Sequence, residues 1–139
     1  MDDINRRATL AFGFAATATS ALILPVIAAA QTHGPNEGKE VAPGVRQVDL
    51  GKRASMIPAY KTVSMRDIVF QPGKGIAGRA MENDMVCHIT EGELRIKQGE
   101  MEFTAKKGDV YSCATGKPEQ ATNSGSTVAI MRVIDLLTA

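Results

Sequence analysis

Residues 73–99 read GKGIAGRAMENDMVCHITEGELRIKQG. Within them, Met85, Cys87 and Ile89 alternate with Val86, His88 and Thr90. A period of two puts 85, 87 and 89 on one face of an extended segment and 86, 88 and 90 on the other. Glu91-Gly92 then supplies a turn signal, and in ELRIKQ (93–98) Leu94 and Ile96 alternate with charged neighbours. Two alternating runs joined by a glycine turn predict a β-hairpin with one dry face and one wet face.

The same pattern extends outward. Short apolar-alternating runs are expected as strands at 45–50, 61–70, 100–105, 110–114, 120–123 and 127–137, separated by Pro72-Gly73, Gly99, KKGD (106–109), TGKPE (115–119) and SGS (124–126). Strands this short, at this turn spacing, predict an all-β sandwich or barrel. Helical spacing is not sustained anywhere except in the final turn of the C-terminus. The 139 residues have room for one domain.

Residues 1–30 differ from the rest. MDDINRR precedes an uncharged run from Ala8 to Ala30 that ends in small residues. A basic start, an apolar stretch and Ala28-Ala29-Ala30 as an A-x-A site predict an export signal cleaved before Gln31. Arg6-Arg7 ahead of a modestly hydrophobic run resembles a twin-arginine signal. The alternative reading is an uncleaved anchor, since the run is long enough to span a bilayer. Either way the working domain is expected to be periplasmic or secreted, with the membrane touched only through the signal segment. Residues 31–45, polar and rich in Gly and Pro, are expected to form a flexible arm, and 46–139 the β-domain. Loss of residues 1–30 removes two arginines and two aspartates and leaves the net charge at +1. The scattered charges exclude a nucleic-acid partner. Cys87 and Cys113 are the only cysteines, and an oxidising compartment would permit a disulfide between them.

From about Val63 to Leu137 the order of features resembles a small single-domain cupin, an RmlC-like jelly roll or double-stranded β-helix. Gly73 and Gly92 match the glycines that bracket the first cupin motif. Gly108, Gly116 and Asn123 match the frame of the second. The resemblance implies a barrel with an interior pocket and a divalent metal held by histidines and a carboxylate. At the corresponding positions, however, stand Arg79, Met81, Met85 and Glu119. Arginine is a permanent cation without a lone pair to donate, so the usual cupin metal is not supported by these residues.

In this frame Arg79, Met81, Met85, Cys87 and Glu119 are expected to approach one cavity. A small, carboxylate-bearing molecule would find a donor fork in Arg79, an acceptor in Glu119 and an adaptable apolar wall in the methionines. The competing structural reading is an Arg79–Glu119 salt bridge that ties two strands. An enzyme of isomerase, lyase or oxygenase type would use Glu119 as general acid or base, or a free cysteine as nucleophile. A metal-handling or structural role is the third possibility. Met81, Met85 and Cys87 form a soft set for copper(I), and a terminus at Gln31-Thr32-His33 would offer four nitrogens to copper(II) or nickel(II). His88, on the opposite face, is expected to be partly buried in a sheet or subunit contact. A homodimer is expected.

Overall fold

The computed structural model describes residues 32–139. The expected signal and its cleavage site lie outside the described residues. The described chain contains ten strands and no helix: β1 (Lys39–Ala42), β2 (Val45–Ala54), β3 (Thr62–Phe70), β4 (Gly75–Ala80), β5 (Asp84–Glu91), β6 (Glu93–Gln98), β7 (Met101–Lys106), β8 (Val110–Cys113), β9 (Pro118–Thr122) and β10 (Ala129–Leu137). They form two antiparallel sheets, six-stranded β1-β2-β3-β10-β5-β8 and four-stranded β4-β9-β6-β7. The helical final turn expected at the C-terminus is instead the end of β10, which pairs residue for residue with β3 down to Leu137↔Thr62.

The core lies between the sheets. Met85, Cys87 and Ile89 of β5 are buried, whereas Val86, His88 and Thr90 are only half-buried. Leu94 and Ile96 of β6 meet them from the smaller sheet, with Phe70, Ala121, Met131 and Val133 completing the cluster. Each of these side chains withdraws apolar surface worth about 25 cal/mol per Å². Gly92 has φ +66°, and a Cβ there would come 2.7 Å from the Val128 carbonyl oxygen. The hairpin between β5 and β6 therefore requires glycine for both conformation and close approach.

Two strands differ from the sequence-based expectation. β1 falls inside the segment read as a polar arm; it is short and almost wholly exposed, so no apolar alternation marks it. It is held by pairing to β2 and by Arg46, which donates to the carbonyls of Asn36, Glu37 and Gly38. His33, earlier in the same segment, is buried with Nε2 2.8 Å from Asp67 Oδ2. β4, Gly75–Ala80, has Ile76 as its only large apolar residue, and so lacks a strand signature of its own; β9 supplies its partner.

Candidate functional site

β5, β8 and β9 bring a polar cluster into the barrel interior. Met85 pairs with Cys113 and Cys87 with Tyr111 across β5 and β8, which leaves Cys87 and Cys113 diagonal neighbours on the inner face. Diagonal positions are within reach of one another in an antiparallel pair. Glu119 enters from β9, its side chain turned inward like that of Ala121 two residues on. The two sulfurs and a Glu119 carboxylate oxygen lie within 4.8 Å of one another. Both cysteines are free thiols and buried.

Neutral donors surround the Glu119 carboxylate. The Cys113 thiol donates to Oε2. The Gln98 amide nitrogen is 3.3 Å from the same oxygen and 3.1 Å from Cys113 Sγ. The Tyr111 hydroxyl lies 3.0 Å from Oε1 and 2.9 Å from Met131 Sδ. Tyr111 is steadied by an edge-on contact with Phe103, ring centres 5.3 Å apart. Burial, with Cys87 and Glu119 nearby, pushes the Tyr111 phenol well above its ordinary range. A hydrogen bond with Cys87, burial and the Glu119 contact likewise push the Cys113 thiol up.

All five residues expected to share a pocket line one inner cavity of about 60 Å³: Arg79, Met81, Met85, Cys87 and Glu119, joined by Arg66 and Met131 among others. Met81 is set by the loop before β9, where its N–H donates to the Lys117 carbonyl and its own carbonyl accepts from Gly116. Arg79 and Glu119 are direct strand partners, yet no ion pair joins them among the described residues. Arg79 also lines a larger, open cavity of about 650 Å³, together with Arg66, Met81, Glu82, Asn83 and Met85, and with Gln47, Lys52 and Ser64 from β2 and β3. Arg66 is committed there, donating to both Asp135 oxygens at 2.8 and 3.1 Å and to Gln47.

The other candidate residues are placed away from this cavity. His33 is tied to Asp67, which also accepts two bonds from Arg132 at 2.9 Å. The imidazole is thus engaged, and Gln31 of the proposed nitrogen set lies outside the described residues. His88 sits on the outer face of β5 opposite Arg132 and Val110. Asp84, adjacent to the metal-ligand position of the first motif, accepts from Tyr60 and from the Thr115 amide and hydroxyl. Those bonds, the Thr115 amide first, hold its carboxyl below the ordinary range. Asn123 is buried, donating to the carbonyls of Phe70 and Thr127 and accepting from Gly125, so it serves the closing turn. Cys113 as a pocket partner, and Tyr111, Gln98 and Met131 altogether, were missed by sequence reading. Only the registers of β5 on β8 and β10, and of β6 on β9, could have pointed to them.

The fold as a whole is shared with known structures. The chain superposes on an RmlC-like cupin from Shewanella frigidimarina with TM-score 0.60 and 17% identity, covering 74% of this chain and 84% of that one. The fold is a cupin fold. A predicted oxalate decarboxylase from Thermotoga maritima matches with TM-score 0.55 and 22% identity, covering 67% and 81%. KdgF from Halomonas matches with TM-score 0.58 and 11% identity, covering 70% and 84%. No family model and no curated protein sequence matches the chain. The metal that the cupin fold implies finds a poor fit in the positions that would hold it. Arg79, Met81 and Met85 offer neither imidazole nor carboxylate, and Glu119 is turned toward neutral donors and thiols.

Proposed function

We propose that this chain is an exported cupin-fold protein that binds a small carboxylate-bearing molecule in its open cavity. The observation that carries this reading is Arg79: exposed to a cavity of about 650 Å³ and free of any ion pair among the described residues. Cavities of about 300–1,000 Å³ suit small organic ligands, and a guanidinium fork recognises a carboxylate through two parallel hydrogen bonds. Met81 and Met85 give an apolar floor that adapts to ligand shape. Gln47, Ser64 and Asn83 offer further hydrogen bonds. Of the two guanidinium groups lining the cavity, Arg66 already has its carboxylate in Asp135, so Arg79 is the fork free to act as anchor.

The composition of residues 1–30 supports export to the periplasm or medium. A homodimer belongs to the same reading, and sedimentation velocity tests it.

The experiment is a thermal-shift panel of small mono- and dicarboxylates, each beside its uncharged amide. At least one acid is expected to raise Tm where its amide does not, and Arg79→Ala is expected to abolish that rise. A shift that survives Arg79→Ala moves the anchor elsewhere. Equal shifts from acid and amide, or none from any acid, defeat the reading.

A further inference from the structure

We infer that Cys87, Cys113 and Glu119 form a binding site for a thiophilic divalent cation, with zinc(II) as the reference ion. The ligand set differs from the histidine and carboxylate positions of the cupin frame, because two of its three donors are sulfurs. It also stands independently of carboxylate binding in the open cavity.

Three observations support it. First, the donors converge: both sulfurs and one carboxylate oxygen already lie within 4.8 Å of one another. In a tetrahedral zinc site, with Zn–S about 2.3 Å and Zn–O about 2.0–2.2 Å, ligand atoms sit roughly 3.5–3.8 Å apart. Side-chain rotation would bring the donors to those separations on binding. Second, the donors are braced from behind. Tyr111 and Gln98 hold the two Glu119 oxygens, and Gln98 also reaches the Cys113 sulfur. Such outer partners orient metal ligands and set their basicity. Third, no ion pair among the described residues engages Glu119, so its carboxyl group is not committed to a side-chain cation. Zinc(II) would take the place of the two thiol protons it displaces, so binding leaves the charge of the site unchanged.

The geometry also leaves room and a route. Cys87 and Glu119 line the inner cavity of about 60 Å³, space for one or two waters at about 30 Å³ each, so a fourth position faces that cavity. Met131 borders it, with its sulfur beside the Tyr111 hydroxyl. Cys113 meanwhile borders a separate outer cavity of about 510 Å³ with Gln98, Met101, Lys117 and Pro118, so the site is approached from the Cys113 side. Two thiolates and a carboxylate match zinc(II) better than copper(I), which prefers all-sulfur surroundings.

The test uses the full chain, with its thiols reduced, titrated with zinc(II) and with cobalt(II) as a spectroscopic probe. One equivalent is expected to bind, and cobalt is expected to show sulfur-to-metal charge-transfer absorption with the intense visible bands of a tetrahedral ion. Cys87→Ser and Cys113→Ser should each remove that absorption and weaken zinc binding beyond the roughly 10–100-fold cost of losing an outer-shell partner. Glu119→Gln preserves side-chain size, so it tests the carboxylate where a cysteine variant fails to fold; it should weaken zinc binding at least about 10-fold while keeping the native circular dichroism. Tyr111→Phe should produce a smaller loss. The inference is overturned by absence of the charge-transfer band in reduced protein, or by binding that survives replacement of both cysteines. It is equally overturned if protein isolated from its own compartment has no titratable thiol until a reductant is added.

Discussion

Asp67 and Glu119 are both buried acids, at 0% and 7% exposure, but they have opposite surroundings. Asp67, on β3 in the larger sheet, is met by the Arg132 guanidinium and the His33 imidazole. Glu119, inside the barrel, is met by a phenol, an amide and a thiol. A buried carboxylate without a cation costs several kcal/mol, whereas a paired one is tolerable but fully committed. Asp67 is thus spent on holding the N-terminal segment and β10 to β3. Glu119 has no ion pair among the described residues, and it is the acid that faces the inner cavity.

The largest effect is expected at Asp67. Asp67→Ala strips partners from a buried imidazole and from a guanidinium that is 33% exposed. Breaking a buried ion pair costs about 3–5 kcal/mol, and the ability of Arg132 to turn toward water places this case near about 3 kcal/mol. Urea denaturation measures it. The pH dependence follows from the same contacts. Burial raises the Asp67 carboxyl, but bonds from Arg132 and His33 outweigh it and leave the group below its ordinary value. A lowered native value means stability that is complete above the unfolded value and is lost as pH falls through the native one. The wild-type acid limb should therefore continue to steepen below about pH 4. In Asp67→Asn that added slope should disappear. An unchanged acid limb would mean that Asp67 is not the titrating group.

At Glu119 the expectation reverses. In metal-free protein Glu119→Gln keeps an oxygen for Tyr111 and gains a donor for the Cys113 sulfur. Loss of the Gln98 bond offsets part of this, so stability should change by less than about 1 kcal/mol. A loss as large as that of Asp67→Ala would show that the two acids are equally structural, and the contrast between them would collapse.

How far each acid could be foreseen depended on the range of its partners. Alternation within β5 was enough to turn Met85 and Cys87 inward and His88 outward, because that pattern is local. Counting between the glycines of the two motifs brought Arg79 and Glu119 toward one cavity, and in the fold they are direct partners across β4 and β9. The direct Arg79–Glu119 tie did not follow, because a salt bridge depends on side-chain direction and the Arg79 side chain is exposed. Cys113, Tyr111 and Gln98 reach Glu119 only through the pairing of β5 with β8 and of β6 with β9. Composition carries no trace of that register. His33 was read as part of a free arm because its partner, Asp67, is 34 residues away. β4 escaped notice because Gly75, Ala77, Gly78 and Ala80 supply no apolar face; β9 makes it a strand.

The two arginines of the open cavity separate in the same way, and the smallest effect is expected at Arg79. Arg66 donates to both Asp135 oxygens and is largely covered, so Arg66→Ala leaves a nearly buried carboxylate without its partner. A hydrogen bond to a charged group is worth about 1.5–3 kcal/mol, and a loss near the lower figure is expected because Arg66 retains some exposure. Arg79 has no ion pair among the described residues and is exposed, so Arg79→Ala should alter stability by no more than about 0.5 kcal/mol. Thermal denaturation of the two variants in the absence of ligand distinguishes them. If Arg79→Ala destabilises as much as Arg66→Ala, the guanidinium is holding the fold together and is not free to hold a ligand. If it is silent without ligand yet removes the carboxylate-induced rise in Tm, the same residue has been shown to act only when the cavity is filled.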